Sequence, residues 1–273
     1  MTLRITKDTK LCMSLSGRPG NFGTRFHNFL YEELELDFVY KAFTTQDLKA
    51  AILGIRALGI RGCAVSMPFK EACIEFTDEL DASAAAIDSV NTIVNDQGHL
   101  KAYNTDYIAV RTLLETRGVP KDLPFALLGS GGMAKAVACA LGDAGFRSGT
   151  VVARNAEKGR ALADVAGLSW SAELGSLRPA LLINVTPIGM SGGVDAEALA
   201  FDEGAISRAE VVFDVVAFPA ETPLIRAARA RGKQVISGAE VIALQAVEQF
   251  ALYTGVRPGA ALVARAAAFA SPG

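Results

Sequence analysis

Apolar residues gather in short runs that alternate with longer stretches of helical spacing, and glycine, proline or charged residues punctuate the joins. In the first hundred residues the runs Lys10–Leu15, Phe38–Phe43 and Gly62–Met67 read as strands, separated by helical patterns over 25–34 and 46–58. Thr24 is expected to cap the first helix, and Thr44 or Thr45 the second. Pro68 to Ile74 reads as the start of another helix, with proline near its first turn, where a missing N–H costs nothing. Ser89–Asn95 and His99–Tyr103 form an expected hairpin around Asp96-Gln97-Gly98, followed by a helix from Tyr107 to Arg117. Gly118–Pro124, with prolines and charges in a short span, marks a boundary. Beyond it, strands are expected at Phe125–Leu128, Gly149–Ala153, Ala180–Asn184, Val211–Asp214 and Gln234–Ser237, and helices at 240–253 and 259–269. Such alternation predicts an α/β protein with a parallel sheet and helices on both faces in each half.

One of these joins carries chemistry. Phe125–Leu128 runs into Gly129-Ser130-Gly131-Gly132-Met133-Ala134 and then into alanine-rich helical sequence. Strand, glycine turn and helix form the layout that grips a pyrophosphate: Gly129 for the tight turn, Gly131 for close backbone approach, Ala134 for close packing of helix on strand. The free N–H groups at the helix start then face the anion. The next strand ends in Arg154-Asn155-Ala156-Glu157-Lys158, with no acid to hold a ribose 2′-OH and with an arginine in that place. A guanidinium suits a 2′-phosphate, so NADP is the expected dinucleotide. The bland alternatives are a glycine-rich connection that binds nothing and a solvated arginine at a strand end.

Composition narrows the field. The 273 residues suit two domains, and 51% hydrophobic with only 7% aromatic residues suits aliphatic cores around buried parallel sheets. A net charge of −2 supplies no basic face for nucleic acid. No apolar run reaches the length of a membrane span, and the N-terminus lacks a signal-peptide core, so a cytoplasmic location is expected. Cys12, Cys63, Cys73 and Cys139 show no paired or metal-binding spacing and read as buried free thiols; no metal is expected.

Two further residues could work with a hydride carrier. Lys70 follows a buried strand, and Asp106 in Asn104-Thr105-Asp106 ends another. Ligands of open α/β sheets bind off the carboxyl ends of strands. Reducing a carbonyl leaves an alkoxide that needs a proton, and an ammonium can supply it while a carboxylate orients the lysine. On spacing alone, Lys70 also fits a solvated lysine of a first helical turn.

The joint order of short motifs resembles the shikimate dehydrogenase family over nearly the whole chain. The motifs are His27-Asn28, Val65-Ser-Met-Pro-Phe-Lys-Glu71, Val90-Asn-Thr92, Asn104-Thr-Asp106, Leu128 to Ala134, Ala153-Arg-Asn155, Asn184-Val-Thr-Pro-Ile-Gly-Met190, Asp214-Val-Val, Thr222-Pro-Leu224 and Gly238 to Gln245. The resemblance implies a substrate domain over 1–105, a Rossmann domain over 106–237 with a deep cleft between the two, and helices over 238–273 that return to the first. It implies Lys70 and Asp106 as the catalytic pair, and a substrate site of Asn21, Gly23, Ser66, Asn91 and Gln245. It implies an NADP site of Gly129, Ser130, Gly131, Gly132, Met133, Ala134, Arg154, Asn155, Lys158, Thr186 and Gly238. The implied partner is a small ring hydroxy acid, and the chain is expected as a monomer or homodimer.

The departures point to the divergent, dehydrogenase-like branch. Where the family's carboxylate loop reads Ser-x-Ser-Pro-x-x-His-Asn, this chain has Asn21-Phe-Gly-Thr-Arg-Phe-His-Asn28, so hydroxyl donors are lost. Ala64 stands for an asparagine, Ser66 for a threonine and Ala217 for a tyrosine. A site that loses hydrogen-bond partners loses discrimination. Arg25 or Arg18 could supply a new carboxylate grip, or be solvated loop residues. The leading expectation is an NADP-dependent oxidoreductase of low activity for shikimate/3-dehydroshikimate or a close analogue, in aromatic amino acid biosynthesis. The alternatives are a quinate-type dehydrogenase, a non-catalytic NADP- and ring-acid-binding regulator, and, more remotely, a methylene-tetrahydrofolate-type dehydrogenase.

Overall fold

A computed structural model of the chain describes residues 5–271. It divides into two compact units: the chain up to Thr105 together with the part from Ala243 onward, and Asp106–Ile242.

The first unit runs β1 (Lys10–Leu15), α1 (Phe22–Glu33), β2 (Phe38–Phe43), α2 (Leu48–Ala57), β3 (Gly62–Val65), a 3-10 turn at Ile74–Phe76, β4 (Glu79–Leu80), α3 (Ala82–Ala85), β5 (Thr92–Asp96) and β6 (His99–Tyr103). The strands form one sheet in the order β2-β1-β3-β5-β6-β4. The expected parallel sheet is here a mixed one, into which the expected hairpin is built. β1 runs parallel to β2 and β3, whereas β5 is antiparallel to both β3 and β6. The hairpin is the cause: Gln97 and Gly98 both take positive φ, at 52° and 93°, so a two-residue turn returns the chain beside itself.

Three local expectations also change. The first helix starts at Phe22, so Thr24 lies inside it and caps nothing; the early start lets Phe22 stack on Phe26 one turn later, with centroids 5.6 Å apart. The second helix is capped by Asp47, whose side chain accepts from Ala50 N at 2.9 Å, while Thr45 instead accepts from Asp47 N. No helix follows Pro68. The carbonyl of Lys70, which a helix would offer four residues on, accepts instead from Val90 N at 2.9 Å, and the segment stays a chain of turns.

The second unit contains α4 (Thr105–Thr116, whose first residue belongs to the first unit), β7 (Phe125–Leu128), α5 (Gly132–Ala144), β8 (Gly149–Val152), α6 (Ala156–Ala166), β9 (Ser169–Ser171), β10 (Leu181–Asn184), α7 (Glu203–Arg208), β11 (Val211–Asp214), α8 (Pro223–Ala230) and β12 (Gln234–Ser237). Its sheet is wholly parallel, in the order β9-β8-β7-β10-β11-β12. Counted from β7 this is 3-2-1-4-5-6, with the strand order reversing between β7 and β10.

Two helices end the chain, α9 (Gly238–Thr254) and α10 (Ala260–Ala270). α9 begins two residues before the expected Glu240 because the Glu240 side chain reaches back over the first turn: its carboxylate accepts from Ser237 N and Oγ, both at 2.9 Å. Past Ala243 these helices join the first unit's core, where Ala246, Val247, Phe250, Tyr253, Ala266 and Ala270 pack with Cys12, Phe26, Leu30, Tyr31 and Tyr40. The other sheet face packs Ile52, Ile55, Cys63, Cys73, Ile93 and Leu100. Burial pushes the Cys12 and Cys73 thiols up to about 12, so they are inert core residues. Among the described residues no cluster fits a metal ion and no helix is long and apolar enough to cross a membrane.

Candidate active site

In the first unit several chain segments meet at Asn91, one of the predicted substrate residues, which is 3% exposed. Three chain segments are laced to it. Val65 N donates to Asn91 O at 2.8 Å, Asn91 N donates to Tyr103 O at 3.0 Å, and the neighbouring Val90 N holds Lys70. The turn bearing Lys70, the start of β5 and the end of β6 therefore share one edge. Thr105, immediately after Asn104, donates its backbone N–H to Asn91 Oδ1 at 2.7 Å. Its hydroxyl lies 3.3 Å from Gln245 Oε1, which brings the α9 glutamine to the same place. Asp106 is the next residue along, in the first turn of α4. Ser66 is exposed just past β3, its N–H bonded to Leu15 O. Sequence reasoning missed Thr92, Thr105 and Gln249 as members of this cluster. The available signal for Gln249 was a second amide one turn after Gln245 on an apolar helix.

The 21–28 loop divides into two parts. Asn21 is exposed at the N-cap of α1 with no side-chain cap bond, and a Cβ on Gly23 would sit 3.4 Å from Tyr40 Oη. His27 and Asn28 are structural. Asn28 exchanges two 2.8 Å hydrogen bonds with the Tyr40 backbone, pinning α1 to β2. His27 is fully buried and stacked flat on Tyr40, with centroids 4.5 Å apart; neither ring nitrogen reaches good hydrogen-bond geometry, and the polar group that faces them is the Gln249 side chain. Burial pulls its pKa down from 6.5 to about 3, so the ring is neutral. Arg25 lies over the Phe269 ring at 4.8 Å, a cation–π contact on α10. Arg18 stays in the preceding loop, its N–H bonded to Ser16 Oγ.

In the second unit the glycine turn leaves β7 at the point where the strand order reverses. Gly129 has φ +124°, and an added Cβ would meet Val185 Cγ2 at 2.9 Å and Thr186 Cγ2 at 3.1 Å, so no other residue fits. Gly131, the N-cap of α5, and Gly132 are different: a Cβ on either meets nothing within 4 Å. That space lies before a 13-residue helix whose first N–H groups have no intrahelical partner, and it suits a phosphate. Ala134 is fully buried, as close helix–strand packing requires, while Ser130 and Met133 are half-buried on either side of the bare glycines.

The loop after β10 closes the other side of this turn. Asn184 Oδ1 accepts from Thr186 N at 3.1 Å and Oγ1 at 2.6 Å. Its amide donates to the fully buried Asp214 at 2.9 Å, which also accepts from Thr222 Oγ1 and Val216 N. Burial raises the Asp214 pKa against these three donors. Arg154 is exposed just past β8. Asn155 uses its side-chain oxygen to cap α6, accepting from Lys158 N at 3.0 Å. Gly238 owes its place to packing, since a Cβ there would run into the Val216 backbone at 2.3 Å.

A wholly parallel 3-2-1-4-5-6 sheet with a glycine turn at its switch point makes the second unit a Rossmann dinucleotide-binding fold. Residues 22–93 of the first unit match the shikimate dehydrogenase substrate binding domain. The chain belongs to the shikimate dehydrogenase family. It is 59% identical over 266 residues to a shikimate dehydrogenase-like protein of Haemophilus influenzae, covering 97% of this chain and 98% of that one. It is 36% identical over 244 residues to the NADP(+) shikimate dehydrogenase of Methanothermobacter thermautotrophicus, covering 85% and 86%. The shikimate 5-dehydrogenase of Thermus thermophilus, solved with NADP(H) and shikimate, superposes with a TM-score of 0.86 at 30% identity, covering 96% of this chain and all of that one.

Proposed function

We propose that this protein is an NADP-dependent oxidoreductase that interconverts a ring alcohol and its ketone, shikimate and 3-dehydroshikimate or a close analogue. The observation that carries the reading is the cluster around Asn91: its carboxamide holds Thr105 of the Asn104-Thr105-Asp106 segment, Thr105 reaches Gln245, and the adjacent Val90 N–H holds the turn of Lys70. The substrate side is assigned to residues 1–105 with the helices after 238, and the cofactor side to 106–237. Relatives that bind NADP and shikimate support both assignments.

In this reading Asn91 and Gln245 hold the ring hydroxyls. Lys70 gives a proton to the substrate oxygen during reduction and receives it during oxidation, and Asp106 keeps the lysine oriented. When bound, NADP supplies or accepts the hydride. The glycine turn holds its pyrophosphate through backbone N–H groups, and Arg154 grips the 2′-phosphate. Asn21 and Gly23 put no hydroxyl where the family binds the substrate carboxylate, so shikimate itself binds weakly. The protein works in the cytoplasm, in the supply of aromatic amino acids, as a monomer or homodimer.

The test is nicotinamide absorbance followed with shikimate, quinate and other hydroxylated ring acids, with NADP and with NAD. NADP-dependent turnover that Lys70→Ala abolishes is expected. No turnover of any ring acid with either nucleotide would overturn the enzyme reading and favour the non-catalytic binding protein.

A further inference from the structure

Gln249 belongs to none of the motifs that carry the family resemblance, yet it sits under the Asn91 cluster. It is 4% exposed on α9, and its side chain also faces the buried His27 ring. A primary amide in such surroundings is costly unless its hydrogen bonds are made. Its Nε2 donates to Asn91 O at 3.3 Å and to Thr92 Oγ1 at 3.0 Å. A backbone carbonyl only accepts, so the Asn91 carbonyl fixes which end of the Gln249 amide is the nitrogen. With its oxygen taken as acceptor, Thr92 turns its proton to Asn91 Oδ1, 2.9 Å away. Asn91 is fixed at its other side by the same logic. The Thr105 backbone N–H only donates, and it meets Asn91 Oδ1 at 2.7 Å. The Thr105 hydroxyl also lies 3.1 Å from Asn91 Oδ1, but the Thr105 N–H and the Thr92 hydroxyl are the shorter contacts and already fill its two lone pairs. The Thr105 hydroxyl proton is then left for Gln245 Oε1.

We propose that Gln249 is a positioning residue which, acting through the Thr92 hydroxyl, locks the Asn91 carboxamide with its oxygen inward and its two N–H donors toward the ligand, so that this subsite takes an oxygen acceptor such as a ring hydroxyl or carbonyl lone pair. The inference rests on the proposed role of Asn91 as a substrate-binding residue. Gln249 touches no ligand; it sets the direction of donation along Gln249, Thr92 and Asn91.

The test compares Gln249→Leu, Thr92→Val, Thr92→Ser and the Leu/Val double variant with the wild type, measuring KM and kcat for the best ring acid, the NADP dissociation constant and Tm. Gln249→Leu and Thr92→Val should each raise KM about three- to tenfold, the worth of one oriented hydrogen bond. kcat and NADP binding should stay within about twofold of wild type, an allowance well under one hydrogen bond. Thr92→Ser, which keeps the hydroxyl, should restore KM. The double variant should be no worse than Thr92→Val alone, since both changes break one chain. Effects that multiply in the double variant, or a KM that moves only in step with NADP affinity and Tm, would overturn the proposal. Should Gln249→Leu fail to fold, the Thr92 pair decides alone. Should the wild type turn over no ring acid, the activity reading fails, and the Asn91 side-chain amide pair in a 15N–1H spectrum of the ligand-free protein then reads the positioning directly. Its displacement or broadening in Thr92→Val supports the lock, and an unchanged pair sinks it.

Discussion

His27→Phe isolates the effect of a fully buried imidazole on acid stability. The ring is fully buried, stacked on Tyr40 and close to Phe26, Tyr31, Phe250 and Tyr253; no solvent or carboxylate reaches it, and the neutral Gln249 side chain only partly offsets the cost of its cation. Burial takes its pKa from 6.5 to about 3. The unfolded chain therefore takes up the proton first as pH falls, and the folded state loses stability relative to it. The sign is that of a depressed base: the contribution is intact above about 6.5 and is lost progressively down to about 3. At about 1.4 kcal/mol per pH unit, the loss is about 2 kcal/mol at pH 5 and about 3 kcal/mol at pH 4. Phenylalanine keeps the stacking and does not titrate. At pH 7 it should be neutral or stabilising, because it also removes two buried nitrogens that reach no good hydrogen-bond geometry. The assay is urea unfolding of both proteins between pH 4 and 8. In the difference between the curves the shared titrations, chiefly surface carboxylates, cancel. The wild type should fall about 2 kcal/mol behind the variant between pH 7 and pH 5, as the linkage requires. Parallel curves over that range would refute the argument.

Lys70→Ala should lower kcat by about 10²- to 10⁴-fold with a smaller change in KM, as for loss of a positioned proton donor, checked by steady-state kinetics. Arg154→Ala should weaken NADP binding by about 1–3 kcal/mol and leave NAD almost unchanged, measured by calorimetry; equal losses would give Arg154 another job. Gly129→Ala should destabilise the protein by more than about 1 kcal/mol, read as a lower urea midpoint, because its φ is +124° and the new methyl would overlap Val185. Shikimate should show a high KM in the wild type; a tight one would mean that the Asn21–Thr24 loop grips a carboxylate without the usual hydroxyls.

The buried strands of the second unit were legible because burial on both faces writes a continuous apolar run: Phe125–Leu128 and Val211–Asp214 form over the residues their patterns predict. The glycine turn was legible too, since positive φ at Gly129 and bare backbone at Gly131 and Gly132 are properties of the residues themselves. Very short elements such as β4 and β9 carry too few residues to show a period. Where local pattern failed, a distant partner had intervened. Pro68–Ile74 reads as a helix, but Val90 takes the carbonyl that the helix would need. His27 reads as part of a ligand loop, but Tyr40 and α9 enclose it. Gln249 reads as one more residue on an apolar helix, and its two acceptors lie 158 and 157 residues away along the chain. Propensity and periodicity act between neighbours in sequence, whereas the orientation of a buried amide depends on donors and acceptors that only the folded chain brings together.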